Sequence, residues 1–229
     1  MGDSRLESWV APAAPSHVTL EGRLCRLEPL TTDHAASLHE ANSLDTAGRM
    51  WDYLAYGPFE DLAAYRDWVR QKARSSDPLF LAIVDRARES AVGVASYLRI
   101  DPPNGVIEVG HLAYSPRLQR TPAATEAMYL MMLHAFELGY RRYEWKCNAG
   151  NAPSRSAAER LGFTFEGVFR QHMIVKGRNR DTAWYSVIDG EWPRVRGGFE
   201  RWLDARNFDA ASRQRRTLAD CRRDRGSGS

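Results

Sequence analysis

The chain has 229 residues, 43% of them hydrophobic, and 32 Lys and Arg against 29 Asp and Glu give a formal net charge of +3. That length supports one substantial core, no apolar run is long enough for a bilayer helix, and so slight a charge argues against a protein built to neutralise a nucleic-acid backbone. Cys25, Cys147 and Cys221 are widely spaced with no CxxC pair, which predicts reduced thiols rather than disulfides or a zinc site, and the N-terminus lacks a basic segment followed by an apolar block, so a cytoplasmic protein is expected.

Residues 1–16 are Pro- and Ala-rich and read as an extended arm. Val18 to Leu30 alternates around Glu21 and Gly22 as a first strand pair. Thr32 or Asp33 then caps a helix running to about Asn42. An aromatic loop with Trp51, Tyr53, Leu54 and Tyr56 precedes a second helix over about Asp61 to Arg74. Its Leu62, Tyr65, Trp68 and Val69 fall at helical spacing and predict core. Leu79 to Asp85, Ser90 to Arg99 and Gly105 to Tyr114 predict an antiparallel meander, with Gly93 marking a bulge or a close backbone approach. Thr121 caps a long helix with Pro122 at its first position and Gly139 at its stop.

The densest stretch is Trp145 to Phe163. Tyr143, Trp145 and Cys147 alternate with charged residues as a half-buried strand ending near Asn148. Asn151 then caps a short helix that Gly162 ends. A helix start at a strand end offers free N–H groups and a positive dipole end beside Asn148, Asn151 and Ser154. Beyond it, Thr164 to Val168 and Thr182 to Ile188 are strands joined through a hairpin turn at Gly177 and Asn179, and a last helix spans about Pro193 to Asn207. The basic end, SRQRRTLADCRRDRGSGS, reads as a solvated tail.

Asn151, Ser154, Arg160, Leu161, Gly162 and Phe163 resemble the C-terminal half of the GCN5-related N-acetyltransferase (GNAT) superfamily, and within it the ribosomal-protein acetyltransferase-like branch, where a Ser takes the fourth position of that motif. The resemblance runs from about Val18 to Trp192 and implies an α+β fold: a mostly antiparallel twisted mixed sheet flanked by helices, here residues 17–192, with 193–229 as a C-terminal helix and basic tail. It implies an N-acetyltransferase that takes acetyl-CoA as donor and a primary amine as acceptor, in a ternary complex with direct attack. It places the pantetheine arm along the main chain of Leu112, Ala113 and Tyr114. The pyrophosphate would lie on the turn and helix start of Gln119, Arg120, Thr121, Ala123, Ala124 and Thr125. Pro122 stands where that turn usually has Gly and removes one amide donor.

The same resemblance makes Glu108 the residue that takes a proton from the incoming ammonium, directly or through water. Ser154 protonates the leaving thiolate, and Asn151 orients it. Ala158 stands where many relatives have a tyrosine acid, so either Ser154 or water does that work. The acceptor is a protein N-terminus or a small amine, and Asp45, Trp51 and Asp52 are candidates to attract a cationic one. Other readings are an acyl-CoA-binding scaffold without turnover and an RNA contact through the basic tail. Pairing of two copies through the final hairpin or helix fits the family. No HExxH, GxSxG or Walker-type motif occurs, so no metal, serine-hydrolase or nucleotide-hydrolysis chemistry is expected.

Overall fold

The computed structural model of this chain describes residues 9–211 and 213–223. The first eight residues of the expected arm and the last six of the tail lie outside the described residues. The elements run β1 (Leu20–Glu21), β2 (Cys25–Pro29), α1 (Ala35–Asn42), α2 (Leu62–Lys72), β3 (Leu79–Asp85), β4 (Ser90–Asp101), β5 (Val106–Tyr114), α3 (Pro122–Glu137), β6 (Arg142–Asn148), α4 (Ala152–Leu161), β7 (Thr164–Val175), β8 (Arg178–Ile188), α5 (Trp192–Leu203) and α6 (Leu218–Arg223). The strands form one sheet in the order β1-β2-β3-β4-β5-β6-β8-β7. Every neighbouring pair is antiparallel except β5 with β6, which are parallel and joined by the α3 crossover.

Period-two alternation in β3 separates two cores. Leu79, Leu81 and Ile83 join the cluster under α3, α4 and α5, while Phe80, Ala82 and Val84 join the one under α1 and α2. Gly93 turns out to serve both expected purposes. Pairing passes from Ile83 opposite Gly93 to Val84 opposite Ala91, leaving a bulge, and a Cβ on Gly93 would sit 2.5 Å from Leu118 Cδ2.

Local capping signals are realised at α2, α3 and α4, where Asp61, Thr121 and Asn151 accept N–H bonds from Ala64, Ala124 and Ser154. The start of α1 differs from the sequence reading. Thr31, not Thr32 or Asp33, opens a 3₁₀ turn before it, with His34 Nδ1 accepting the Thr31 N–H at 3.1 Å. The β7–β8 turn also differs. Lys176 and Gly177 form it with φ of 49° and 73°, the pair of positive angles a two-residue hairpin turn requires, and Asn179 lies in β8 opposite Ile174.

The basic end corrects the solvated-tail reading. Leu218 and Cys221 of α6 are buried in the core with α3, α4 and α5. Charge misled there, because two apolar side chains on one short helix suffice to dock it when a partner surface exists.

Candidate active site

Pairing between β5 and β6 stops at Val109 opposite Trp145, yet β5 continues to Tyr114 and β6 to Asn148. The two strands therefore splay, and past the apex the edge of β5 that faces β6 has no strand partner. A second bulge shapes this edge. β4 pairs Ser96 with Gly110 and next Val94 with Ala113, so His111 and Leu112 share one place in the ladder, with His111 at φ 51°. The bulge turns Leu112 and Tyr114 toward the face carrying α3 and α4 and Ala113 toward the other.

Both helices that follow the splayed strands start at its open end, on the same face. Arg160 of α4 donates to Thr125 Oγ1 of α3 at 2.9 Å. At the α3 start, the Thr121 N–H and the Gln119 N–H are used inside the turn, by Leu118 O and Ser115 O, and the Gln119 side chain donates back to Tyr114 O at 2.7 Å. Two sequence expectations change here. The Ala124 N–H, expected to be free for an anion, donates to Thr121 Oγ1 at 3.2 Å, and the Thr125 hydroxyl is buried against Arg160. The Ala123 N–H keeps no acceptor among the described residues, and Arg120, at φ 60°, is exposed beside it.

At the α4 start, Asn151 Oδ1 accepts the Ser154 N–H at 3.1 Å, and Asn148 Oδ1 accepts the Gly150 N–H at 2.8 Å, which shapes the turn between strand and helix. Ser154 Oγ accepts the indole N–H of Trp145 at 3.0 Å. Trp145 is the last residue of β6 paired with β5, so this bond pins the serine hydroxyl over the apex of the gap. With that oxygen already accepting, the hydroxyl proton is left to donate, and a polarised hydroxyl donates more strongly. Cys147 lies near enough to interact with Ser154, and burial pushes its thiol pKa up.

Glu108 sits on the opposite face of the same apex, one residue before the last pair on β5. Its carboxylate, 3% exposed, receives Arg99 at 2.6 Å and Lys146 at 2.9 Å, and Lys146 also pairs with Glu144 at 2.6 Å. The charged residues of β6 were expected to face water. Instead Glu144 and Lys146 are buried, and Lys146 Nζ also lies 3.8 Å from the centre of the Trp184 ring. The loop before α2 and the β7–β8 hairpin close over this face, Lys176 Nζ donating to Trp51 O and Gly57 O at 3.0 Å each and Tyr53 OH to Gly150 O at 3.2 Å. Trp51, a candidate to attract a cationic acceptor, is buried, and Asp45 accepts the Met50 N–H at 2.7 Å and so folds its own loop.

His111, Lys146 and Arg180 carry weight that spacing alone did not show. His111 stacks on Tyr56 at 5.7 Å and lies 5.0 Å from Phe80, and burial lowers its pKa to about 4, so it is neutral at pH 7. Its one sequence signal was a polar residue beside Gly110 in an apolar strand. Among the described residues no group of His, Cys, Asp and Glu could hold a metal ion, and no helix is long and apolar enough to cross a membrane.

A mixed sheet thus splits between two parallel strands, with two helix starts facing the split, an arrangement suited to an anionic ligand. Residues 24–164 match the family described as Acetyltransferase (GNAT) domain, and the chain belongs to it and is an N-acetyltransferase. It is 30% identical over 182 residues, 77% of this chain and 93% of the other, to YdaF of Bacillus subtilis (strain 168), a protein named for ribosomal N-acetylation. It is 29% identical over 105 residues, 45% of this chain and 58% of the other, to the ribosomal-protein-serine acetyltransferase of Escherichia coli (strain K12). A crystal structure of a GCN5-related N-acetyltransferase from Brucella melitensis superposes with a TM-score of 0.93 at 47% identity, covering 95% of this chain and 99% of that one. These likenesses place the chain in the ribosomal-protein acetyltransferase-like branch expected from its motif.

Proposed function

We propose that the chain transfers an acetyl group from acetyl-CoA to a primary amine by direct attack in a ternary complex, donor and acceptor entering from opposite faces of the split sheet. The observation that carries this is the apex at Val109 and Trp145, with Ser154 held over one face and Glu108 on the other. The donor face fits a thioester of a nucleotide. The Ala123 N–H is free for a diphosphate, no acidic residue stands in the first turn of α3, and the unpaired edge of Leu112, Ala113 and Tyr114 suits an amide-bearing arm. The buried Tyr114 hydroxyl, without a partner, and Arg160, with no carboxylate partner among the described residues, add polar groups to that side.

On this reading Ser154 donates its proton to the departing thiolate, and Asn151 holds the turn that aims it. Glu108, fixed in place by Arg99 and Lys146, draws the ammonium to the apex and takes its proton, directly or through water, so that the neutral amine attacks the thioester carbonyl. Direct attack is supported by the cysteines. All three are buried, and burial raises Cys25 and Cys147, so thiolate for a covalent acetyl-enzyme is scarce. The test is titration calorimetry with acetyl-CoA beside thiol release over a panel of amines and ribosomal N-terminal peptides. Binding with amine-dependent thiol release is expected. Binding without release across the panel would favour a non-catalytic acyl-CoA scaffold, and no binding would end both readings.

A further inference from the structure

We propose that Arg180, together with the indole N–H of Trp184, holds a carboxylate on the acceptor, so that the acceptor is a primary amine with a carboxylate a few atoms away. The inference rests on the acetyl-transfer reading above and names the acceptor class of that same site.

Around Glu108 and Glu144 three cations are paired with carboxylates and a fourth beside them is not, while Lys176 at the hairpin turn is held by backbone carbonyls. Arg99 pairs with Glu108, Lys146 with Glu108 and Glu144, and Arg142 with Glu144 and Glu166. Arg180 has no ion pair and no side-chain hydrogen bond among the described residues, and its Nε is buried without an acceptor. Trp184, on the same face of β8 four residues on, has its Nε1 buried without an acceptor as well. Both atoms can only donate and neither has an acceptor within the fold, so an acceptor oxygen brought against the Arg180 guanidinium is the partner this corner lacks.

Position supports the same ligand. Arg180 lies two residues before Thr182, which pairs with Asn148 at the end of β6, and so sits at the open end of the gap. It is close enough to Glu108 and Arg99 to interact electrostatically with both. A carboxylate for an ammonium and an unpaired guanidinium for a carboxylate, the first by the apex and the second toward the open end of the same gap, match a zwitterion. A guanidinium set beside Glu108 and Glu144 suits a single negative charge better than a phosphate dianion, which those carboxylates would repel. The hairpin bearing Arg180 is held against the loop before α2 by Lys176, which limits the room for a bulky neutral acceptor.

The experiment compares matched pairs in the thiol-release assay: free amino acids against their carboxamides, and peptides starting with Asp against the same peptides starting with Asn. The carboxylate member of at least one pair is expected to have a kcat/KM about 10- to 100-fold higher, through KM, and the pair that shows it identifies a free amino acid or an acidic N-terminal segment as the source. Arg180→Gln should remove that preference while leaving acetyl-CoA affinity by calorimetry unchanged. Trp184→Phe, which keeps the ring under Lys146 and loses only the N–H, should reduce the preference by about threefold to tenfold. Equal rates for both members of every pair, or Arg180→Gln slowing both members alike, would overturn the proposal. Turnover of neutral amines with no preference would do so while leaving acetyl transfer intact, whereas absent acetyl-CoA binding would strike the acetyl-transfer reading itself.

Discussion

On the acetyl-transfer reading, the Trp145 to Ser154 hydrogen bond is the smallest unit that matters, because it holds the serine oxygen in place as an acceptor. A CoA thiolate is a fair leaving group, with a thiol pKa near the ordinary cysteine value, so Ser154→Ala should lower kcat by about 10- to 100-fold rather than abolish it, with acetyl-CoA affinity nearly unchanged. Steady-state kinetics beside calorimetry checks this, and an unchanged kcat would give the proton transfer to water. His111 makes a separate prediction about pH. Its pKa of about 4 in the fold, against roughly 6.5 when unfolded, means the unfolded chain binds more protons between those values. Stability is then full above about pH 6.5 and is lost as pH falls toward 4, by up to about 3 kcal/mol. His134, also lowered by burial, adds in the same direction, so the difference between wild type and His111→Asn isolates one residue. Asn accepts the positive φ at this position. Urea unfolding at pH 7 and pH 4.5 should show the variant losing less stability on acidification, and equal losses would remove His111 from the account.

Elements are held in place here by a few long-range polar contacts, and Glu126 of α3 is the clearest. Its buried carboxylate accepts the backbone N–H groups of Arg23, Leu24 and Cys25 at 3.1, 2.6 and 2.8 Å, tying the β1–β2 turn to the helix whose start faces the gap. Glu126→Ala leaves three donors without a partner, and should cost about 3–5 kcal/mol and weaken acetyl-CoA binding through displacement of the α3 start, whereas Glu126→Gln, retaining an acceptor, should cost about 1–2 kcal/mol. Denaturant midpoints for the two variants test the ordering. This contact also marks the limit of what the chain discloses in one dimension. The caps at Thr121 and Asn151 were legible because a cap and its N–H partner are three residues apart. The split between β5 and β6 has no local sequence signal, since no local pattern states where a ladder stops. Glu144 and Lys146 were misread as solvent-facing because period two assigns them a face but not what covers it, and their cover comes from Glu108 and Trp184, on other strands. The partner of Thr125 was hidden for the same reason, Arg160 being 35 residues away.

At the scale of the molecule, α5 and α6 turn the end of the chain into a buttress for the helix that carries Ser154. Tyr129 and Phe136 of α3 pack on Phe199 and Trp192 of α5 with ring centres 5.4 and 4.8 Å apart. α6 lies across α5 where Gly198 leaves room for Arg222, and Arg201 donates to Cys221 O at 2.9 Å. Arg222 in turn donates to the carbonyls of Glu159 and Arg160, placing a cation at the negative end of α4, whose other end begins at the gap. Leu218→Ala should therefore cost about 2–4 kcal/mol, and Gly198→Ala should be destabilising even though alanine is the better helix former, because its methyl group meets Arg222. Deleting residues 217–229 should lower the melting temperature more than either substitution and loosen Ser154, reducing kcat in the thiol-release assay at temperatures where the shortened chain is still folded. A solvated tail predicts no change in either quantity on truncation, and an RNA-contacting tail predicts lost salt-sensitive RNA binding with stability intact, so the paired measurement of melting temperature and RNA affinity separates the three by the direction each takes.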